Sequence, residues 1–200
     1  MEAQKPAHQR PELAEFWDHR FRNGVTPWDA GGVPEDLQRF TKDHGEQPRT
    51  LIPGCGSAWE ARWLLDLGWP VTALDFSPAA IAAARPIVGP HQDSLLLADF
   101  FRFEVMEPFE LVYERAFLCA LPRTLWADWA SRLPALLKPG GLLAGYFFFQ
   151  DSPKGPPFGI RPEALEDLLA PAFELLDDRA VNDSIPVFAG FERWQVWQRR

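Results

Sequence analysis

Three short stretches carry residue types that together could grip a nucleoside. "LIPGCGSAWE" holds Gly54 and Gly56, "VTALDFS" holds Asp75 and Phe76, and "LLLADFF" holds Asp99 and Phe100. Paired glycines leave a turn without side chains, so a ligand can lie against bare backbone. Asp75 follows Gly54 by 21 residues, a spacing that suits an acid accepting both hydroxyls of a ribose. Asp99 is suited to an adenine edge, with Phe100 beside it to pack on the ring. A lone Gly-x-Gly is common; the ordered set of turn, ribose acid and adenine acid is more specific. Each member also has a plain structural reading: a tight turn, a helix cap at Ser77, a solvated loop acid.

These residues belong together only if their elements bring them to one edge. From residue 50 onward short apolar strands alternate with helical patterns, which predicts crossover units and a doubly wound, mostly parallel α/β sheet covered on both faces. Strands are expected at "TLIP", "PVTALDF", "SLLLADF", "FELVYE", "GLLAGYFFF", "FELLDDRAV" and "FERWQVWQ". The last two lack an obvious helix between them, so one of them is expected to run antiparallel. Helices are expected at "SAWEARWLLDLG", at "SPAAIAAAR" with Ser77 as N-cap and Pro78 at the first position, at "RTLWADWASRLPALLK" ended by "PGG", and at "RPEALEDLLA". Pro134 should kink the third of these. Ahead of the sheet, Pro11–Phe21 and a segment started by Pro34 read as two helices around the loop "NGVTPWDAGGVP". The expected organisation is one domain, with residues 1–48 as a helical lid and 49–200 as the α/β core. In such sheets ligands bind at the carboxyl ends of the strands.

Composition narrows the partners. The net charge of −8 argues against nucleic acid, which needs clustered Lys and Arg. The N-terminus is too polar for a signal peptide, and the longest apolar runs are too short to span a bilayer. The two cysteines, Cys55 and Cys119, form neither a pair nor a metal spacing and suit a reducing cytoplasm. No metal site is expected. A monomer or weak dimer acting on a small molecule is expected.

The choice of adenosine cofactor turns on Trp59. A dinucleotide fold wants a third glycine there for close packing under a pyrophosphate, and an indole argues against it. No Gly-x-x-x-x-Gly-Lys run is present, so there is no P-loop. S-adenosylmethionine has no phosphate and needs neither.

"FWDHRFRNGVTPWD", "LIPGCGSAWE", "VTALDFS", "LADFF", "FELVYERAFLCALP", "LLKPGGLLAGYFF" and "GPPF" occur in the order seen in class I S-adenosylmethionine-dependent methyltransferases. The chain resembles, more narrowly, the thiopurine S-methyltransferase-like family, which includes plant thiol and halide methyltransferases. The resemblance runs from about Phe16 to the end. It implies a seven-stranded sheet with one antiparallel strand near an edge. It also implies cofactor contacts from Trp17, Phe21 and Trp28 in an aromatic lid, from Gly54 and Gly56 in the turn, from Asp75 with Phe76, and from Asp99 with Phe100. Glu114 and Arg115 fall where the methionyl part and the acceptor meet. Arg115 matches the thiopurine branch, since the plant branch tends to carry Tyr.

Indole faces attract cations, which suits a sulfonium. The expected reaction is in-line methyl transfer to a small soft nucleophile: a thiol first, with thiopurine-like compounds, thiocyanate, hydrosulfide and halide also possible. Arg115 is the expected catalytic residue, holding an anion and favouring thiolate. Trp28, Arg115 and Phe158 are expected to touch the acceptor. His19 is the nearest candidate base, although a surface helix position fits it better. The alternatives are a non-catalytic S-adenosylmethionine-binding module and a nicotinamide-dependent oxidoreductase.

Overall fold

The computed structural model describes residues 5–151 and 154–200; residues 1–4 of the expected lid lie outside it. Two helices come first, α1 (Ala14–Arg22) and α2 (Glu35–His44). The core then alternates β1 (Thr50–Pro53), α3 (Trp59–Asp66), β2 (Val71–Asp75), α4 (Pro78–Val88), β3 (Leu95–Leu97), β4 (Phe109–Arg115) and α5 (Trp126–Leu136). It closes with β5 (Leu137–Phe148), α6 (Pro162–Leu169), β6 (Phe173–Ala180) and β7 (Glu192–Arg199).

The sheet order is β3-β2-β1-β4-β5-β7-β6. β7 runs antiparallel to both β5 and β6, and the pairings from β3 through β5 are parallel. This is the seven-stranded doubly wound sheet expected, with β7 as the reversed strand. The direction of the chain across the sheet changes between β1 and β4, so the tips of β1, β2 and β4 flank one crevice.

Side-chain alternation builds two cores. Leu51, Val112, Leu143 and Phe147 point to one face, where α5 and α6 cover them with Trp129, Leu133, Leu136 and Leu165. Their neighbours Ile52, Leu111, Tyr113 and Ala144 point to the other face, against Leu37, Leu64 and Ile81 of α2, α3 and α4. A strand buried on both sides reads as a continuous apolar run, which explains "TLIP" and "GLLAGYFFF". In α5, positions 129, 133 and 136 repeat at helical spacing and are fully buried.

Some boundaries differ from the sequence reading. α1 begins at Ala14 rather than Pro11, and Pro34 is the N-cap of α2 rather than its first residue. α4 continues through Pro86 to Val88. β3 has only three residues and ends before Asp99, which sits in the loop that follows. Pro134, expected to kink this helix in its C-terminal half, falls in the last turn of α5, and the helix stops at Leu136. "PGG" does not end that helix. It lies inside β5, in a bulge where Phe109 pairs Leu137 but Leu111 pairs Leu142.

Candidate active site

The turn after β1 begins the site. Cys55 N–H donates to Leu74 O at 3.0 Å, pinning the turn against β2. Gly54 and Gly56 have φ of +59° and +51°, which an L side chain rarely adopts. Their bare Cα atoms face aromatic rings. A β-carbon on Gly54 would collide with the Phe117 ring, and one on Gly56 would lie 3.5 Å from Phe21 Cζ. The glycines therefore admit both a close ring and a cavity beside it.

Asp75 ends β2 at the wall of that cavity. Its Oδ2 accepts from Gly56 N–H at 3.1 Å and its Oδ1 from Ser77 N–H at 2.9 Å. Burial pushes its pKa up to about 6. The backbone donors of Ser77, Gly56 and Phe76 pull the other way, and the Asp18 carboxylate adds to the rise. Ser77 caps α4 as expected, its hydroxyl accepting from Ala80 N–H at 3.1 Å.

The lid is tied to this rim by two acids. Asp18 of α1 accepts from Ser77 Oγ–H at 2.6 Å and from Ala79 N–H at 2.9 Å, so one helix caps the start of another. Asp29, in the loop after α1, accepts from Trp59 Nε1–H at 3.0 Å, from Gly31 N–H at 2.8 Å and from the Ser57 hydroxyl. Trp59, which stands where a dinucleotide site would have its third glycine, thus latches the lid. Trp17, Phe21 and Trp28 pack edge to face, with Trp28 centred 5.4 Å from Trp17 and 5.9 Å from Phe21. All three line the cavity.

β4 supplies Glu114 and Arg115 on opposite faces. Arg115 lines the cavity with a side chain 9% exposed. Its Nε lies 3.7 Å from Glu60 Oε1, an ion pair too long for a hydrogen bond. Its guanidinium carbon stands 4.8 Å over the Tyr146 ring. Its Nη1 is buried with no hydrogen-bond partner among the described residues. Nearby acids and tyrosines raise its pKa despite burial.

The cavity measures about 270 Å³. Among the described residues it brings together Trp17, Phe21, Trp28, Gly54, Gly56 and Asp75. Phe76, Asp99, Phe100 and Arg115 also line it. Asp99 Oδ1 accepts from Phe101 N–H at 2.9 Å, and buried Phe100 packs edge to face on Phe117 at 5.1 Å. Two expected residues are not brought there. Glu114 is 1% exposed, and its Oε1 accepts from Phe117 and Leu118 N–H, both at 2.9 Å. Its geometry holds the turn that carries Phe117; it does not face the cavity. Phe158 is half-buried, packs against the edge of the core cluster covered by α5 and α6, and donates its N–H to Cys119 O at 2.6 Å. Pro156, Pro157, Val187 and Phe188 form the wall assigned to it.

Sequence reasoning missed Asp18, Asp29, Glu60 and Phe188. The "PWD" of the lid and the "WE" after the turn were signals, but only packing shows what each acid meets. Among the described residues there is no group of three metal-ligating side chains, and no helix is long and apolar enough to cross a membrane.

The donor set fits a cationic nucleoside. Carboxylates and ring faces border most of the cavity, while among the described residues its cations stand at the margins: Arg115 at one end, Arg20 under Trp28 in the lid. Among the described residues lining the cavity no cluster of cationic donors forms a phosphate cradle. Strand order and crevice define a class I methyltransferase fold. Solved structures agree: a 1,6-didemethyltoxoflavin-N1-methyltransferase from Burkholderia thailandensis superposes with TM-score 0.74 at 17% identity, covering 100% of this chain and 92% of that one. The N-methyltransferase NodS from Bradyrhizobium japonicum gives 0.67 at 18% identity, over 82% and 84%.

The thiopurine S-methyltransferase family model matches residues 13–200. A probable thiol methyltransferase of Arabidopsis thaliana is 29% identical over 92% of this chain and 84% of its own length. A thiopurine S-methyltransferase of Vibrio cholerae is 31% identical over 75% and 77%. The chain belongs to the thiopurine S-methyltransferase family, and it is an S-adenosylmethionine-dependent methyltransferase.

Proposed function

We propose that the acceptor is a small thiol or a related soft anion, seated between Arg115 and the apolar wall of Pro156, Pro157 and Phe188. The observation that carries this is Arg115: a buried cation at one end of the cavity, with an unsatisfied Nη1 donor. A buried donor without a partner costs about 1–3 kcal/mol, which an anionic ligand would recover. The relatives' names point the same way, to thiols, thiopurines and thiocyanate.

Trp17, Phe21 and Trp28 roof the cofactor, Asp75 receives its ribose, and Asp99 with Phe100 borders its adenine. S-adenosylmethionine supplies a methyl group on a cationic sulfonium. The protein's task is orientation and exclusion of water, and orientation alone can lower a barrier by about 7–11 kcal/mol. Arg115 holds the acceptor in the charged form that attacks best. Glu114 supports the turn beneath.

The test is transfer of labelled methyl across thiols, thiopurines, thiocyanate and iodide, with oxygen and nitrogen acceptors as contrast. Transfer should favour sulfur, and Arg115→Ala should lower turnover of anionic acceptors about 10–100-fold while the fold survives. Wild-type turnover in that variant would remove Arg115 from the reaction. No transfer to any acceptor by a protein that binds S-adenosylhomocysteine would leave only a binding module.

A further inference from the structure

We propose that Glu60 is a general base, taking the proton of a neutral thiol and releasing Arg115 to hold the thiolate. The inference rests on the sulfur-acceptor reading above.

Elimination carries much of it. No histidine lines the cavity among the described residues. Asp75 already accepts two backbone N–H groups, and Asp29 accepts from a backbone amide, an indole and a hydroxyl. Asp99 is engaged with Phe101 N–H and lies 3.7 Å from Arg102. Glu12 stands at the rim, bonded to Arg10 at 2.8 Å. Cys55 and Cys119 are buried thiols that burial keeps protonated, so neither has a site free for a further proton. Glu60 remains. It lines the cavity from the first turn of α3, and its link to Arg115 is an ion pair without a hydrogen bond.

The pair suits an exchange of partners. With the cavity empty of anion, Glu60 balances Arg115. When R–SH enters, its proton goes to a Glu60 oxygen and the electron pair stays on sulfur. Glu60 becomes neutral, and the guanidinium now faces a thiolate instead of a carboxylate. Total charge in the pocket does not change, so no net charge need be taken from water into a buried site. The sulfur lone pair then forms the new S–CH3 bond as the methyl's bond to the sulfonium breaks. That leaves a neutral thioether on the cofactor and a proton on Glu60, which returns to solvent after release. Burial raises the proton affinity of Glu60. The groups facing it are Arg115 and Tyr113 on β4, Asp29 in the lid and Cys55 in the turn.

Acceptors separate this role from a structural one. Thiocyanate carries no proton and needs no base; an alkyl thiol at neutral pH does. In Glu60→Gln, the ratio of thiol turnover to thiocyanate turnover at pH 7 should fall at least about tenfold, since positioned bases contribute roughly 10²–10⁴. The deficit should shrink as pH approaches the thiol's own pKa. A ratio unchanged at pH 7, or a deficit independent of pH, would overturn the assignment. Should Glu60→Gln fail to fold, the wild-type protein gives the answer by calorimetry. Thiophenol binding to the S-adenosylhomocysteine complex, one pH unit below the thiol's pKa, should produce the ultraviolet absorbance of the thiolate yet release no proton to buffer, because Glu60 keeps it; a bound thiol that stays neutral refutes the base. Release of about one proton means the thiolate forms without Glu60 and refutes the base. Wild-type protein that methylates neither acceptor would sink the sulfur-acceptor reading instead.

Discussion

Cofactor affinity should rise with pH through Asp75. Its carboxyl is buried at the cavity wall with a pKa near 6. Ribose hydroxyls donate hydrogen bonds, and only the carboxylate accepts them on both oxygens. At pH 5 about ten protonated side chains stand for each ionised one, whereas at pH 7 the ratio inverts. Binding that requires the carboxylate is therefore about tenfold weaker at pH 5 than at pH 7, roughly 1.4 kcal/mol, and it releases a proton. The sign follows from the raised pKa: the free protein holds the proton more tightly than an exposed aspartate does, and the ligand must displace it. The cofactor's own α-carboxyl and α-amino groups titrate below and above this window and barely change charge inside it.

The assay is calorimetry with S-adenosylhomocysteine at pH 5, 6 and 7, each in two buffers of different ionisation enthalpy. Asp75→Asn should weaken binding by about 1–3 kcal/mol and flatten the pH dependence. Equal affinity at pH 5 and 7 with no proton released would refute the reasoning. A slope that persists in Asp75→Asn would move the titration to another acid facing the cavity, with Glu60 the first suspect.

Two further outcomes follow from buried carboxylates. Burial pushes the pKa of Glu114 up to about 7, against the pull of Leu118 and Phe117 N–H. A raised pKa on an acid means stability present at low pH and lost as pH climbs from about 4.5 to 7, by about 3 kcal/mol. Glu114→Gln keeps an acceptor for both amides, so urea unfolding should show a gain of that order at pH 8 and none at pH 4; a loss at pH 8 would contradict it. Asp29→Ala removes the bonds from Trp59 and Ser57, a loss of about 2–4 kcal/mol in lid docking. Amide exchange across residues 14–34 should accelerate and affinity for S-adenosylhomocysteine should fall; unchanged exchange would show that the aromatic cluster alone holds the lid.

The fold was legible because its signal is local. Alternating apolar strands and helices, with Ser77–Pro78 and two glycines at element ends, set the topology that the structure has. Where the reading slipped, a neighbour across the sheet decided. "PGG" resembles a helix stop, but β4 draws the chain into a bulged strand. The site was half legible. Asp75 ends its strand, and Gly54 and Asp99 follow theirs by one and two residues, positions that sequence spacing can locate. Glu60 gains its meaning from Arg115, on a strand that only the fold brings near. Asp18 meets Ser77 across 59 residues and Asp29 meets Trp59 across 30. Phe158 was misplaced because an aromatic in a proline loop gives no sign of whether it faces the cavity or the core.

The lid aspartates also bear on the charge of the chain. Asp18 lies at the N-terminus of α4, where exposed N–H groups favour a negative charge. Asp36, at the start of α2, pairs with Arg39 at 2.9 Å and Arg179 at 3.2 Å. The α2 terminus is closed from outside: Tyr146 accepts from Asp36 N–H at 3.1 Å, and Asp183 accepts from Glu35 N–H at 2.7 Å. Tyr146 is also the ring beneath Arg115. The phenol that fixes a lid helix therefore supports the cation at the acceptor end, and displacing α2 disturbs both. Around the cavity the acids Glu12, Asp29, Glu60, Asp75 and Asp99 stand against Arg20 and Arg115, a net negative rim among the described residues. Such a rim attracts a sulfonium and repels a thiolate, except beside Arg115. With cofactor and acceptor seated as proposed, this separation would put two oppositely charged reactants in one small cavity in a single order. That order, more than any individual contact, would suit the pocket to the methyl transfer proposed above.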